Sequence, residues 1–94
     1  MLDEREKTHG PYETTARISQ NLKDVLRSGP NWTTLRDTQA ESLEMIMGKV
    51  ARILSGNASF ADHWDDIIGY AQLARLEDTS DAVHAMDLIK AINS

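Results

Sequence analysis

Carboxylates on two predicted helices are the side chains of this sequence best suited to hold a metal ion. Glu41 and Glu44 stand three residues apart, and Asp62, Asp65 and Asp66 follow on the next predicted helix. At about 100° per residue, Glu41 and Glu44 share one helix face, and Asp62 and Asp66 share another. Mg²⁺ and Mn²⁺ prefer carboxylate oxygens and would offset the repulsion between like charges at these spacings. We therefore expect the aspartates to face the two glutamates across a cleft that can hold Mg²⁺ or Mn²⁺.

Basic residues near these carboxylates leave a second interpretation open. If the turn around Asn57 makes an antiparallel hairpin, Arg52 lies beside Asp62 and Gly48 lies beside Asp66. Arg52 and Lys49 would then neutralise the aspartates as structural salt bridges. Charged helix faces are usually solvated or paired, so spacing alone favours the salt bridges over the metal site.

The elements that must position these side chains follow from the apolar residues, which recur with a helical period. The predicted helices cover residues 12–27, 38–54, 60–76 and 81–92. Their stripes are Ile18, Leu22, Val25 and Leu26; Leu43, Ile46, Met47, Val50, Ile53 and Leu54; and Trp64, Ile67, Ile68, Ala71 and Ala74. No alternation with a period of two is long enough for a strand. We predict an all-α fold, a small bundle of three core helices plus a C-terminal helix.

The chain, residues 1–94, is predicted to form a single all-α domain. Residues 1–8 are rich in charge and lack an apolar period, which indicates a loose lead-in. Residues 38–41 have the capping-box pattern for the second helix, and Ser59 is the expected cap of the third. The C-terminal helix of residues 78–94 is a candidate contact with another subunit.

The size of the chain favours self-association. With 94 residues, 40% of them hydrophobic, a single domain has a thin core, and copies that share an apolar face would thicken it. We expect a homo-oligomer, a dimer or a tetramer. The chain has no cysteine, and no second histidine stands at ligand spacing from His63. We therefore interpret His63 as a surface or capping residue rather than a zinc ligand.

The charge of the chain limits its partners. A net charge of -5 and a pI near 5.0 disfavour a binder of duplex DNA or RNA, because a basic face normally dominates that affinity. A small phosphorylated ligand that is held through a metal ion stays compatible with the charge. The absence of an early apolar run argues against a signal peptide or a membrane span, so we expect no membrane partner and a cytoplasmic location.

Two glycines in the middle of predicted helices indicate close approach of another group. Gly48 and Gly69 lie on the carboxylate faces of the second and third helices. A glycine there costs about 1 kcal/mol relative to alanine, so a neighbouring helix or a ligand is expected to come close. Helix packing is the commoner reason.

Two stretches of the sequence, ESLEMIMGKVARILSG and ADHWDDIIGYAQLA, resemble the MazG-like, all-α nucleoside triphosphate pyrophosphatase superfamily. The likeness covers about residues 9–76 and is strongest to a branch common in phages and prophages. That superfamily carries an E-x-x-E motif on one helix and an E-x-x-D motif on the next, and together they hold magnesium. The first motif is present as Glu41 to Glu44. The second is approximate, because Asp62 pairs with Asp65 at three residues or with Asp66 at four.

This resemblance implies Mg²⁺-dependent cleavage of a nucleoside triphosphate to a monophosphate and pyrophosphate, in a bacterial host or a phage-infected cell. It implies three groups of site residues. They are the catalytic residues Glu41, Glu44, Asp62 and Asp66; the metal ligands, which are these four and Asp65; and the substrate-binding residues Lys49, Arg52, His9 and Tyr70. Two alternatives stay open: a phage protein that binds a nucleotide without turnover, and a helical interaction module whose charges form salt bridges.

Overall fold

Helices are the only regular elements in the described part of the chain. The computed structural model describes residues 4–76, 89–90 and 92. The helices are α1 (Glu4–His9), α2 (Tyr12–Arg27), α3 (Asp37–Ser55) and α4 (Ala61–Arg75), with a short 3₁₀ turn at Trp32–Thr34. The predicted all-α fold with three core helices is confirmed. Within the described residues, none of the helices combines the length and the hydropathy that a bilayer crossing requires.

The start of α3 and the start of α4 differ from the predicted caps. α3 begins at Asp37, and the backbone N–H of Arg36 donates to the Gln39 side-chain oxygen over 3.0 Å. The predicted capping box at residues 38–41 is therefore wrong, because those residues already lie inside the helix. α4 begins after Phe60, while Ser59 belongs to the preceding turn, where its backbone N–H donates to the Asn57 side chain.

The three long helices lie side by side in one layer. α3 is central and packs against both α2 and α4, whereas α2 and α4 make few direct contacts with each other. The shortest dimension of the molecule is 18 Å, against 46 and 33 Å for the other two. Helix axes pack about 8–10 Å apart, so a single layer of three helices accounts for this flat shape. The layer has two broad faces and almost no interior.

The predicted core stripes are consequently only partly covered. Ala51 is the one fully buried hydrophobic residue among those that the structure describes. On α4, Trp64 is 50% exposed and Ile68 is 56% exposed, although both belong to the predicted stripe. The helical period identified the apolar side of each helix, but in a flat layer part of that side is exposed to solvent.

The segment before α2 is clasped against the end of α3. Gly10 has a φ of 81°, and a Cβ there would lie 2.4 Å from the Ser55 carbonyl oxygen. The hydroxyl of Thr15 donates to the His9 carbonyl over 2.8 Å and lies 2.7 Å from the hydroxyl of Ser55. Only glycine fits this close, left-handed turn. The residues just before Gly10 form α1, where the sequence predicts a loose lead-in.

A buried histidine secures the same segment from α4. His63 is 1% exposed, and its Nε2–H donates to the Thr8 carbonyl over 3.1 Å. The backbone N–H of Asn57 donates to the same carbonyl over 2.9 Å. The predicted surface position of His63 is therefore wrong. The predicted capping role agrees with its hydrogen bond, because the Thr8 carbonyl belongs to the last turn of α1. Through this carbonyl, the turn after α3 and the start of α4 both hold the N-terminal segment.

The predicted C-terminal helix, residues 78–94, lies largely outside the described residues. Of that segment the structure describes residues 89, 90 and 92, all of them helical. Ile92 packs on Gly69, where an added Cβ would come within 2.8 Å of the isoleucine side chain. The lack of a side chain at Gly69 thus lets Ile92 of the same chain pack closely against α4. Helix packing was the commoner of the two reasons expected for a glycine at this position.

Candidate functional site

A groove runs between α2 and α3 on one face of the layer, and the clasped N-terminal segment closes one end of it. Its volume is about 480 Å³, within the range of roughly 300–1,000 Å³ that is typical of small-molecule sites. The residues around the groove are His9, Gly10, Tyr12, Thr15, Ala16, Ser19, Gln20, Lys23, Glu44, Met45, Gly48, Lys49 and Arg52. Along α2 the lining extends from Tyr12 to Lys23, which is about 16 Å at the helical rise per residue. The groove can hold an elongated ligand.

Positive charge dominates the groove, although the chain as a whole carries a net charge of -5. Its ionic side chains are Lys23, Lys49 and Arg52, opposed by Glu44 alone. Glu44 is neutralised by a salt bridge to Arg27 at the rim. Within the part of the chain that the structure describes, Lys23 and Arg52 have no ion-pair or hydrogen-bond partner. The groove therefore presents two cations to solvent, and none of the described carboxylates neutralises them.

The third cation of the groove already has a partner. The Lys49 ammonium lies 2.8 Å from the Asp66 carboxylate, and the two side chains are 14% and 24% exposed. Asp66 on the inner side of α4 is thus paired with a basic side chain from α3. For this pair the predicted salt-bridge interpretation is confirmed. The predicted approach of Arg52 to Asp62 gives no ion pair, because Arg52 lines the groove on the α2 side.

The carboxylates of the predicted metal site do not gather around one point. Glu44 pairs with Arg27 and Asp66 pairs with Lys49, on opposite sides of α3. The remaining carboxylates of that set, Glu41, Asp62 and Asp65, are exposed. Among the described residues, no group of three or more His, Asp or Glu side chains is placed to hold a metal ion. The described residues thus provide no ligand set for magnesium, and the magnesium site stays a prediction.

No family model, curated protein or solved structure matches the chain. The likeness to the MazG-like superfamily therefore stays a prediction from the two quoted stretches.

The groove brings together three of the four predicted substrate-binding residues. His9, Lys49 and Arg52 all line it, although they come from α1 and from two turns of α3. Tyr70 lies on α4 and is not part of the lining. The predicted substrate-binding role of Tyr70 thus has no support from its position.

Sequence reasoning missed two residues of α2 that the groove exposes. Tyr12 is 84% exposed at the end of the groove closed by His9, and Lys23 stands at the other end. Both follow the helical spacing of Ala16 and Ser19, so a search for the polar face of α2 would have found them.

The floor of the groove is open at Gly48. A Cβ built at this glycine meets no described atom within 4 Å, so packing among the described helices does not explain the glycine. A glycine in mid-helix costs about 1 kcal/mol relative to alanine. The space above Gly48 therefore marks where a ligand can approach the α3 backbone closely.

Proposed function

We propose that the groove between α2 and α3 binds the phosphates of a nucleotide or a similar phosphorylated small molecule. The observation that carries this proposal is a pair of cations, Lys23 and Arg52, that have no partner among the described residues and line a groove of an otherwise acidic chain. An anion would neutralise both without displacing an existing salt bridge. A planar guanidinium can bind a phosphate through two hydrogen bonds, and an ammonium adds a point charge.

The spacing of the two cations suits more than one phosphate. The hydrogen bond between Thr15 and Ser55 fixes the register of α2 against α3, which sets Arg52 level with Ile18. Lys23 lies five residues further along α2, or about 7 Å at the helical rise. A diphosphate or triphosphate could contact both side chains at once, whereas inorganic phosphate would be limited to one of them.

The end of the groove at Tyr12 suits the base of a nucleotide. Tyr12 presents most of its ring to solvent next to His9, and every nucleobase has a flat face that stacks on an aromatic ring. Stacking of this kind contributes about 1–3 kcal/mol per base and tolerates different bases. The proposed ligand thus lies with its base at Tyr12 and its phosphates between Arg52 and Lys23.

Hydrolysis of the bound nucleotide is a separate matter from its binding. The cations and the aromatic ring support binding, while the described carboxylates offer no metal-holding group that would support turnover. Cleavage to a monophosphate and pyrophosphate therefore stays a prediction from the resemblance. Of the alternatives left open by the sequence, nucleotide binding without turnover has the most support.

Calorimetry with ADP and ATP in a buffer containing EDTA tests the proposal in the absence of metal. We expect Arg52→Gln to weaken binding at least about tenfold, because a charge-assisted hydrogen bond contributes about 1.5–3 kcal/mol. Arg17→Gln is the matched control, since Arg17 is an exposed cation of α2 outside the groove. Binding that Arg52→Gln leaves unchanged, or no binding by the wild type at millimolar nucleotide, would contradict the proposal.

A pyrophosphate-release assay with Mg²⁺ separates binding from turnover. Release that Glu44→Gln abolishes would support the enzyme predicted from the resemblance. Binding with no release would identify a nucleotide-binding protein without turnover.

A further inference from the structure

The face of the layer opposite the groove is apolar. Val25, Leu54 and Trp64 are 72%, 63% and 50% exposed. Each stands two residues from a polar marker of the groove side, namely Lys23, Arg52 and Asp66. Two residues correspond to about 200° around a helix, so the three side chains point away from the groove.

The neighbours of these three residues extend the apolar surface across all three helices. Positions one helical turn away in either direction point to the same side. We call this surface the apolar face, and it comprises Thr14, Ile18, Asn21 and Val25; Ala40, Leu43, Met47, Val50 and Leu54; and Trp64, Ile67, Ile68, Ala71, Ala74 and Arg75. Arg75, at the end of α4, is the one charged residue of this set, although 27% of the chain is charged. A surface of this composition is typical of a protein interface.

The apolar face has the area that a stable dimer needs. The helices α2, α3 and α4 have 16, 19 and 15 residues, or about 22–28 Å of length at the helical rise per residue. Three helix axes about 8–10 Å apart give the layer a width of roughly 24–30 Å, so each broad face measures roughly 700 Å². Two copies that meet through this face would bury roughly 1,400 Å² in total, which is the standard size of a specific interface.

We propose that the apolar face is covered by a second copy of this chain, which makes a dimer of two helical layers. Identical faces can meet around a twofold axis, so one apolar face suffices for closure. The apolar stripes of α2, α3 and α4 would then meet their counterparts and form the core that a single layer lacks. The groove would stay open on the outer side of each layer.

Sedimentation equilibrium of the wild-type chain and two variants tests this proposal. We expect the wild type to sediment at about 21 kDa, twice the mass of one chain, and Val25→Glu and Leu54→Glu to sediment as monomers. Tyr12→Glu is the matched control, because Tyr12 is also exposed but lies on the groove side. It should sediment as a dimer.

The wild-type chain provides a second readout that does not depend on how the variants fold. The midpoint of thermal unfolding of a dimer rises with protein concentration, because association and folding are coupled. We expect such a rise between micromolar and 100 micromolar protein. A wild-type chain that sediments at 10.5 kDa with a midpoint independent of concentration would overturn the proposal and leave the apolar face to a different protein.

Discussion

The two broad faces of the helical layer differ in what the described residues leave exposed, which is charge on one face and apolar side chains on the other. On the groove side, Lys23 and Arg52 lack a counterion among the described residues. On the apolar face, Val25 and Leu54 lack cover. A cation in water costs little and is available to a small anion, whereas exposed apolar area is stabilised only by removal from water. This difference is the reason that we propose a small anion as the ligand of one face and a second copy of the chain as the partner of the other.

The largest effect on stability is expected at Gly10, at one end of the groove. Gly10→Ala would put a methyl group against the Ser55 backbone at a φ of 81°. We expect a loss of unfolding free energy on the order of 3 kcal/mol from strain and overpacking, measured by urea denaturation. Gly29→Ala is the control, because its added methyl meets only the Leu26 carbonyl oxygen at 3.6 Å. Equal stability of the two variants would show that the clasp around Gly10 does not hold the segment.

One substitution on each face should separate nucleotide binding from dimer formation. Arg52→Gln should lose at least about 1.4 kcal/mol of nucleotide binding energy, a tenfold change, and keep the dimer mass. Leu54→Glu should lose the dimer, while a folded monomer would keep its groove. Calorimetry and sedimentation of both variants measure this. If Arg52→Gln dissociated the dimer, the separation of the two faces would be wrong.

The Lys49–Asp66 ion pair should contribute less to the free energy of unfolding than the turn at Gly10 does. Lys49→Met and Asp66→Asn each remove one partner of a pair that is mostly shielded from water. We expect a coupling energy of about 1 kcal/mol in the double-mutant cycle, reduced by high salt. Thermal or urea unfolding of the four proteins provides the measurement. A coupling energy near zero at low salt would show that Asp66 has no structural need of Lys49.

The smallest effect is expected at the floor of the groove. Gly48→Ala adds a methyl group where nothing lies within 4 Å, so the helix should gain about 0.5–1 kcal/mol. Gly48→Leu would fill the groove and should weaken ADP binding. Gln72→Leu, at an exposed position of α4 outside both the groove and the apolar face, controls for the added side chain in the binding measurement. A loss of stability in Gly48→Ala would place a neighbour against Gly48.

Local signals in the sequence predicted the elements well. Residues 12–27 fold as predicted because Pro11 precedes the helix and Gly29 and Pro30 follow it. The apolar period also identified which side of each helix is apolar. That period could not tell whether the apolar side is covered, since cover depends on how many helices meet and not on any one of them.

The candidate site was less predictable for the same reason. The hairpin register correctly brought Asp66 toward α3, and the salt-bridge alternative named its partner, Lys49. The groove depends instead on the pairing of α2 with α3, which no motif in the sequence marks. Lys23 and Tyr12 become groove residues only because Thr15 and Ser55 fix that pairing. The burial of His63 likewise follows from the clasp of the N-terminal segment.

Native mass spectrometry of the chain with ADP tests both faces in one measurement. The wild type should appear at about 21 kDa, twice the 10.5 kDa of one chain, and carry up to two ADP molecules. Arg52→Gln should keep that mass without ADP, and Arg17→Gln should match the wild type. A wild-type spectrum that shows only the 10.5 kDa chain, with no bound ADP, would contradict the assignment of one face to a nucleotide and the other to a second copy.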